Sequence, residues 1–162
     1  QYPFDALYFT GFKSLDDAQC ALMGARAVYD GPVFISLAPN GEGMFPGGRT
    51  LSEGVALCDE YGADVIGVVS DAPAHVLVGF AKEMASATDK PLLVDASVRR
   101  KDRRQFEPTD ENPYPTADAV VELAVRLRAQ GVQFLRASGA ATPAYTGALL
   151  ATVGGGDVVA PQ

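Results

Sequence analysis

The sequence contains no tryptophan, one histidine and two cysteines in 162 residues. His75 follows Pro73 in the first turn of a predicted helix, without a second histidine or a cysteine nearby. We therefore expect it at the surface or partly packed rather than on a metal. Cys20 and Cys58 both fall within predicted helices, so we expect buried thiols in a reducing compartment. These scarcities argue against a disulfide-stabilised secreted domain and against a histidine-based metal site.

Positive charge is also scarce, with 13 basic against 20 acidic residues and a formal net charge of −7. This balance argues against nucleic acid or an anionic membrane as the main partner. No apolar run approaches the roughly 18 residues of a membrane-spanning helix, and no signal-peptide pattern is present. We therefore expect a cytoplasmic protein with neither nucleic-acid nor membrane partners.

The stretch 47–70 shows the pattern that the rest of the chain repeats. Ser52 occupies a position suited to a helix N-cap, and apolar residues then recur at helical spacing. Gly62 follows, where a left-handed conformation ends a helix without strain. Residues 65–69 form an apolar run without alternation, as expected for a strand buried on both faces of a parallel sheet. The stretch therefore predicts a helix followed by a buried strand.

This strand–helix unit occurs five times. Strands are predicted at residues 6–9, 33–37, 65–69, 92–95 and 132–137, with helices at about 14–29, 52–61, 73–84, 117–130 and 143–153. Such alternation predicts an α/β domain of five successive βα units over residues 1–153, with a parallel sheet and a flexible tail at 154–162. The units fit either part of a (β/α)8 barrel or an open flavodoxin-like sheet.

Small polar residues stand at or near the predicted carboxyl ends of the strands: Thr10, Ser36, Ser70, Asp71, Asp95, Ser97 and Ser138. Both architectures bind ligands at this rim, so the set predicts a pocket for a small polar ligand. The same residues also suit strand ends and helix caps, and Asp71 with Pro73 fits a capping role. The sequence favours the capping interpretation and leaves the pocket open.

Five basic residues cluster in the segment 96–115, namely Arg99, Arg100, Lys101, Arg103 and Arg104. Of these, we take Arg99, Arg100 and Arg103 as candidates for binding an anionic ligand, such as a phosphate, a polyglutamylated folate or an acidic partner domain. Three prolines in the same segment are equally typical of a solvated, mobile loop. The sequence leaves both interpretations open.

Five local patterns occur in the order in which the homocysteine S-methyltransferase family has them. They are FDAL at 4–7, PVFIS at 32–36, GRTLS at 48–52, GADVIG at 62–67 and Thr-Pro at 142–143. The chain thus resembles that family, which includes the homocysteine-binding domain of methionine synthase and betaine–homocysteine methyltransferase. The resemblance implies a partial TIM-type (β/α)8 barrel that matches the family's fourth to eighth strands.

The resemblance also implies methyl transfer to the homocysteine thiol, in methionine biosynthesis, on a zinc ion held by three cysteine thiolates. The matching positions here are Ser70, Ser138 and Gly139. A neutral hydroxyl is a poor zinc ligand and glycine has no ligand to offer. We therefore expect no metal or other cofactor, and a degenerate site that is inactive in this chain alone.

Two further expectations follow. A five-unit piece of a barrel leaves its first and last strands with unpaired edges, which template pairing with other chains. We therefore expect a missing barrel segment or a second copy to cover them. As an alternative function, residues 10–14 join a strand to a helix N-terminus and suit phosphate in a non-catalytic flavodoxin-like binding module.

Overall fold

The computed structural model describes residues 4–100 and 104–153. Arg103 and the predicted tail 154–162 lie outside the described residues. In chain order, the elements are β1 (Leu7–Phe12), α1 (Leu15–Arg26), β2 (Val33–Leu37), β3 (Met44–Phe45), β4 (Arg49–Thr50), α2 (Leu51–Glu60), β5 (Val65–Ser70), α3 (Ala74–Ala87), β6 (Leu92–Val98), α4 (Ala117–Arg128), β7 (Phe134–Gly139) and α5 (Pro143–Val153). The five predicted βα units are therefore all present.

The main sheet has the strand order β1-β2-β5-β6-β7, and every neighbouring pair is parallel. The strands of this sheet follow one another in the order in which they occur in the chain. The strand order does not reverse, so there is no point at which the helices switch to the other face of the sheet. Right-handed crossovers then place all helices on one side of the sheet, where each packs against the next. The partial TIM-type barrel is confirmed, and the open flavodoxin-like alternative is wrong because its strand order would have to reverse.

The sheet is strongly curled, so side chains from strands that are not neighbours meet on its inner face. The rings of Phe34 on β2 and Phe134 on β7 lie 5.2 Å apart between centroids. The Arg136 guanidinium carbon lies 5.3 Å from the centre of the Tyr8 ring, which joins the first and last strands. The sheet is therefore a half-barrel whose first and last strands, β1 and β7, approach each other through side chains without pairing.

The core lies between the outer face of the sheet and the helices. Ile35, Leu37 and Ile66 from the strands pack in one cluster with helix residues such as Leu22 and Met84, all essentially inaccessible to solvent. Burial of each such side chain contributes about 2 kcal/mol relative to exposure. This layer holds the half-barrel together.

Helix starts agree with the sequence at α1 but not at α2. Ser14 caps α1, with its hydroxyl accepting a hydrogen bond from the Asp17 N–H. The predicted cap Ser52 is wrong, because Thr50 caps α2 in a reciprocal capping box with Glu53. Ser52 lies inside the first turn and donates instead to Glu83 on α3, through its backbone N–H and its hydroxyl. It therefore ties two helices together.

Several boundaries and burial states differ from those predicted. β1 and β6 each run three residues beyond the predicted end, and the antiparallel β3–β4 hairpin lies between the predicted strand 33–37 and the predicted helix 52–61. Cys58 is buried as expected, and burial raises its pKa to about 12, but Cys20 is exposed. His75 is exposed on α3. Cys20 lies two residues from the buried Ala18 and two from the buried Leu22, and so on the opposite face of α1.

Arg26 at the end of α1 connects the amino-terminal ends of β2 and β5. Its guanidinium donates to the carbonyl oxygen of Gly62 at 3.0 and 2.6 Å, to that of Gly31 at 2.7 Å, and to Asp64 Oδ2 at 2.7 Å. The same Asp64 oxygen accepts from the Val33 N–H at 2.8 Å. This network orders the end of the barrel opposite to the predicted ligand rim.

No described strand pairs with the outer edges of β1 and β7. Phe134 on β7 and Tyr8 on β1 are exposed where those edges border the open inner face. The predicted exposed edges are therefore present. Among the described helices, none has the length and apolar character needed to cross a membrane.

Candidate functional site

Two of the predicted rim residues lie in a satisfied hydroxyl cluster on the inner face. The Ser36 hydroxyl is fully buried, accepts from the Gly11 N–H at 3.2 Å and the Tyr8 hydroxyl at 3.4 Å, and donates to Thr10 Oγ1 at 3.2 Å. Gly11 has a positive φ of 81°, which suits glycine at this bend of the strand. The contacts join β1 to β2, so Ser36 has a structural role and Thr10 remains accessible.

Ser70 ends β5, Asp71 follows it, and both side chains are engaged in hydrogen bonds. The Ser70 hydroxyl accepts from the Ala72 N–H at 3.1 Å, and Asp71 Oδ2 accepts from Arg99 Nε and Nη2 at 2.7 Å each. Arg99 also donates to the Glu111 carbonyl oxygen at 2.6 Å. The predicted cap Asp71 does not cap α3, whose N-cap position is Pro73 without a side-chain hydrogen bond. Asp71 and the anion candidate Arg99 therefore satisfy each other.

The segment 104–116 is anchored by tyrosines that the sequence analysis did not identify. Tyr114 is buried and donates from its hydroxyl to the Ala72 carbonyl oxygen at 2.7 Å. The Tyr145 hydroxyl on α5 donates to the Tyr114 carbonyl oxygen at 3.0 Å. Burial raises the pKa of Tyr114, so its hydroxyl stays a donor. The described part of this loop is thus fastened over the carboxyl ends of β5 and β7.

An open cleft of about 510 Å³ lies beside that loop. Its lining includes Arg99, Arg100 and the residues Thr116 and Thr142 that precede α4 and α5. Arg100 is exposed. Two helix N-termini and a cationic side chain therefore border the same space, an environment that favours anions.

The predicted rim residue Asp95 is not at the rim, because β6 continues to Val98. Asp95 lies on the inner face of β6 directly opposite Arg136 on β7. Two residues closer to the carboxyl ends of these strands, Ser97 lies opposite Ser138. Ser97 and Ser138 are both half-buried. The rim prediction was therefore right for these two serines and wrong for Asp95, which lies deeper in the half-barrel.

Asp95 is a buried acid with incomplete hydrogen bonding. Its side chain is 1% exposed, Oδ1 has no partner among the described residues, and Oδ2 lies 3.6 Å from Arg136 Nε. Burial raises the pKa of the Asp95 carboxyl, while the Ser138 hydroxyl and the Arg136 guanidinium oppose that shift. Alternation along β7 places Arg136 on the same face as Phe134 and Ser138, a signal that could have identified it from the sequence.

A zinc ion does not fit the residues at the positions that match the family's ligands. Ser70 and Ser138 are hydroxyls, and a side chain at Gly139 is obstructed because an added Cβ would lie 2.5 Å from the Val98 carbonyl oxygen. Gly139 also has a φ of 68°. Within the described ranges, no group of three or more His, Cys, Asp or Glu residues is placed to hold a metal. The donor set is therefore unsuited to zinc.

Comparisons with known proteins find similarity at the level of structure. No family model and no curated protein sequence matches the chain. The apo homocysteine methyltransferase MmuM from Escherichia coli superposes over 91% of this chain and 49% of its own, with a TM-score of 0.69 and 17% identity. Its metallated form covers 94% and 45% at a TM-score of 0.69 and 13% identity. An archaeal fructose 1,6-bisphosphate aldolase covers 94% and 59%, at a TM-score of 0.53 and 15% identity.

These likenesses support the TIM-type fold. The chain spans about half the length of the homocysteine methyltransferase structures that it matches.

Proposed function

We propose that this chain is a half-barrel of homocysteine S-methyltransferase type that has lost zinc chemistry and binds a small polar ligand on its open inner face. The carrying observation is the superposition of the five βα units on the E. coli homocysteine methyltransferase at a TM-score of 0.69. The GRTLS and GADVIG patterns at 48–52 and 62–67 support the same relationship. A cytoplasmic location is part of the proposal.

Loss of zinc chemistry rests on the residues at the carboxyl ends of β5 and β7. Zinc activates a thiol by holding it as a thiolate among soft ligands. Ser70 and Ser138 provide neutral oxygens, and Gly139 faces the Val98 backbone without space for a longer side chain. Of the two cysteines, Cys58 is buried on α2 and Cys20 is exposed on α1, remote in sequence from these strand ends.

Calorimetric titration of the chain with homocysteine, with and without added zinc, tests the function. We expect binding that is the same in both conditions. Binding that requires zinc would show that other residues rebuild the metal site and would refute the degenerate assignment. Absence of binding in both conditions would refute the ligand assignment and leave only the scaffold.

We further propose that a segment of three βα units completes the barrel. Eight strands close a TIM-type barrel and the sheet formed by the described residues has five, so three would remain to pair with the edges of β1 and β7. A second copy would bring five strands, too many for that closure. In the isolated chain, we expect hydrogen exchange to be fast at the unpaired amides of β1 and β7 and slow in β5. A monodisperse monomer protected equally in all three strands would contradict the proposal.

An anion-binding role for Arg100 is a second candidate, favoured by the cleft that it shares with Thr116 and Thr142. Arg99 is already paired with Asp71, so Arg100 is the more available cation. We expect Arg100→Ala to weaken binding of inorganic phosphate, measured by calorimetry, whereas Arg126→Ala on α4 serves as the control. Equal phosphate binding by wild type and Arg100→Ala would refute this role.

A further inference from the structure

Arg136 presents a guanidinium whose hydrogen-bonding capacity is largely unused. It extends from β7 across the inner face to lie over the Tyr8 ring, and its side chain is 46% exposed. Its closest acidic contact is Asp95 Oδ2, 3.6 Å from Nε, which is longer than a charge-assisted hydrogen bond. No described residue accepts a hydrogen bond from its Nη atoms. The Tyr8 ring therefore orients the planar guanidinium group, whose paired N–H donors suit a carboxylate and have no acceptor among the described residues.

In the described part of the chain, Asp95 lacks a hydrogen-bond donor for Oδ1, just as Arg136 lacks acceptors for its Nη atoms. It is buried, its Oδ1 has no partner among the described residues, and its charged form is supported by the Ser138 hydroxyl and by Arg136, its one cationic neighbour among the described residues. The Ser138 hydroxyl also faces it, whereas the paired residue on β5 is the uncharged Val69. A buried carboxylate retains its charge only while a counter-charge is close. Removing the guanidinium from Asp95 therefore favours its protonated form.

We propose that the inner face binds a small carboxylate on the Arg136 guanidinium, and that Asp95 takes up one proton from solvent as the ligand binds. The ligand oxygens accept from Arg136, which then neutralises the ligand instead of Asp95. The protonated Asp95 carboxyl removes the repulsion between two carboxylates that share one cation. The inference rests on the proposed function for its location on the open inner face, and it specifies the chemistry of the ligand there.

Acetate is the probe, because it carries the carboxylate and no other recognition group. We expect acetate, at constant ionic strength held with chloride, to shift the Nε–Hε resonance of Arg136 saturably in protein labelled with ¹⁵N-arginine. The resonance of Arg26, which is fully engaged with Gly31, Gly62 and Asp64, should not move. Arg136→Lys assigns the Arg136 signal and should bind acetate at least about tenfold more weakly, because the bidentate fork is lost.

The pH dependence tests the role of Asp95. Coupled uptake of one proton strengthens acetate binding by up to about tenfold for each pH unit of decrease above the Asp95 pKa. We expect the Asp95→Asn variant to bind acetate still, with an affinity that changes less than about twofold for each pH unit. Asp64→Asn is the matched control and should keep the wild-type slope.

An Arg136 signal that does not move, or an unchanged pH slope in Asp95→Asn, would overturn the inference. The comparison of the pH dependence of acetate binding between wild type and Asp95→Asn tests the inference even if Arg136→Lys folds poorly. Acetate binding without homocysteine binding would refute the ligand of the proposed function and leave this inference standing. Homocysteine binding without any acetate effect on Arg136 would refute this inference alone.

Discussion

Among the arginine–aspartate pairs of the described residues, Arg26–Asp64 and Arg136–Asp95 differ in how completely their hydrogen bonds are satisfied. Arg26 and Asp64 meet at 2.7 Å at the amino-terminal end of the sheet, together with four backbone groups. Arg136 and Asp95 approach only to 3.6 Å on the inner face, where Asp95 Oδ1 lacks a partner. The Arg26–Asp64 pair has the complete hydrogen bonding expected of a contact that stabilises the fold. The Arg136–Asp95 pair has donors and an acceptor that are still available to a ligand.

The electrostatics of the two carboxyl groups differ in the same way. Partial burial opposes ionisation of Asp64, but hydrogen bonds from the Val33 N–H and Arg26 outweigh it and lower the Asp64 pKa. For Asp95, burial outweighs Ser138 and Arg136 and raises the pKa. A TIM-type barrel usually separates stability at the amino-terminal end from function at the carboxyl end. The Arg26–Asp64 pair at the amino-terminal end follows the stabilising part of that division, whereas the Arg136–Asp95 pair lies mid-strand on the inner face.

Breaking the first pair should have the largest effect. Arg26→Met removes the donors to Gly31 and Gly62 and leaves the partly buried carbonyl groups unsatisfied. We expect a loss of about 2–3 kcal/mol in the free energy of unfolding, measured by urea denaturation. Arg136→Met should lose less than half as much, because Asp95 then takes a proton. Equal losses would remove the distinction between the pairs.

Neutralising the buried acid should have an intermediate effect of opposite sign. Asp95→Asn removes a poorly compensated buried charge, so we expect a gain of about 1 kcal/mol in unfolding free energy near neutral pH. A raised folded-state pKa means that the folded protein binds the Asp95 proton more tightly than the unfolded chain. The wild-type stability deficit should therefore shrink as pH falls through the raised pKa towards 3.8. A deficit that grows on acidification would contradict the assignment.

Neutralising Asp64 should have the smallest effect. The Asp64 side chain is 48% exposed, so solvent screens much of its interaction with Arg26, and we expect Asp64→Asn to lose about 0.5 kcal/mol. Its lowered folded-state pKa gives a contribution that is complete above 3.8 and is lost as pH falls through the folded-state value. Parallel urea titrations of wild type and variant at neutral and acidic pH measure it. A difference that persists unchanged in acid would show that the carboxylate charge is not responsible.

Sequence patterns predicted the five βα units, and their errors have identifiable causes. Apolar runs located the strand centres, but β6 extends past Asp95 because Ala96 and Val98 pair with β7, a contact that apolarity alone does not reveal. Ser52 suited a cap, yet Thr50 holds the position because it has Glu53 three residues later for a reciprocal box. Hydrophobic patterns therefore predicted that the strand and helix of each βα unit exist. The residues at which an element begins or ends depend on strand pairing and on side-chain partners.

The candidate site was harder to predict. Polar residue type correctly placed Ser97 and Ser138 near the carboxyl ends, but it did not distinguish them from Ser36 and Ser70, which bond within the fold. Alternation along β7 places Arg136 on the inner face, but this pattern does not identify Asp95 on β6 as its partner. Tyr114 was missed because its acceptor, the Ala72 carbonyl oxygen, is 42 residues away in the chain.

The sequence by itself determined the five βα units, their parallel arrangement and the absence of thiolates at Ser70, Ser138 and Gly139. These features depend on hydrophobic periodicity and residue chemistry, which act over a few residues. Only the tertiary structure decided between a curled and an open sheet, and only it brought Arg136 close to Asp95 and over the Tyr8 ring. Those outcomes depend on strand order and curvature, which arise from packing between residues far apart in the chain.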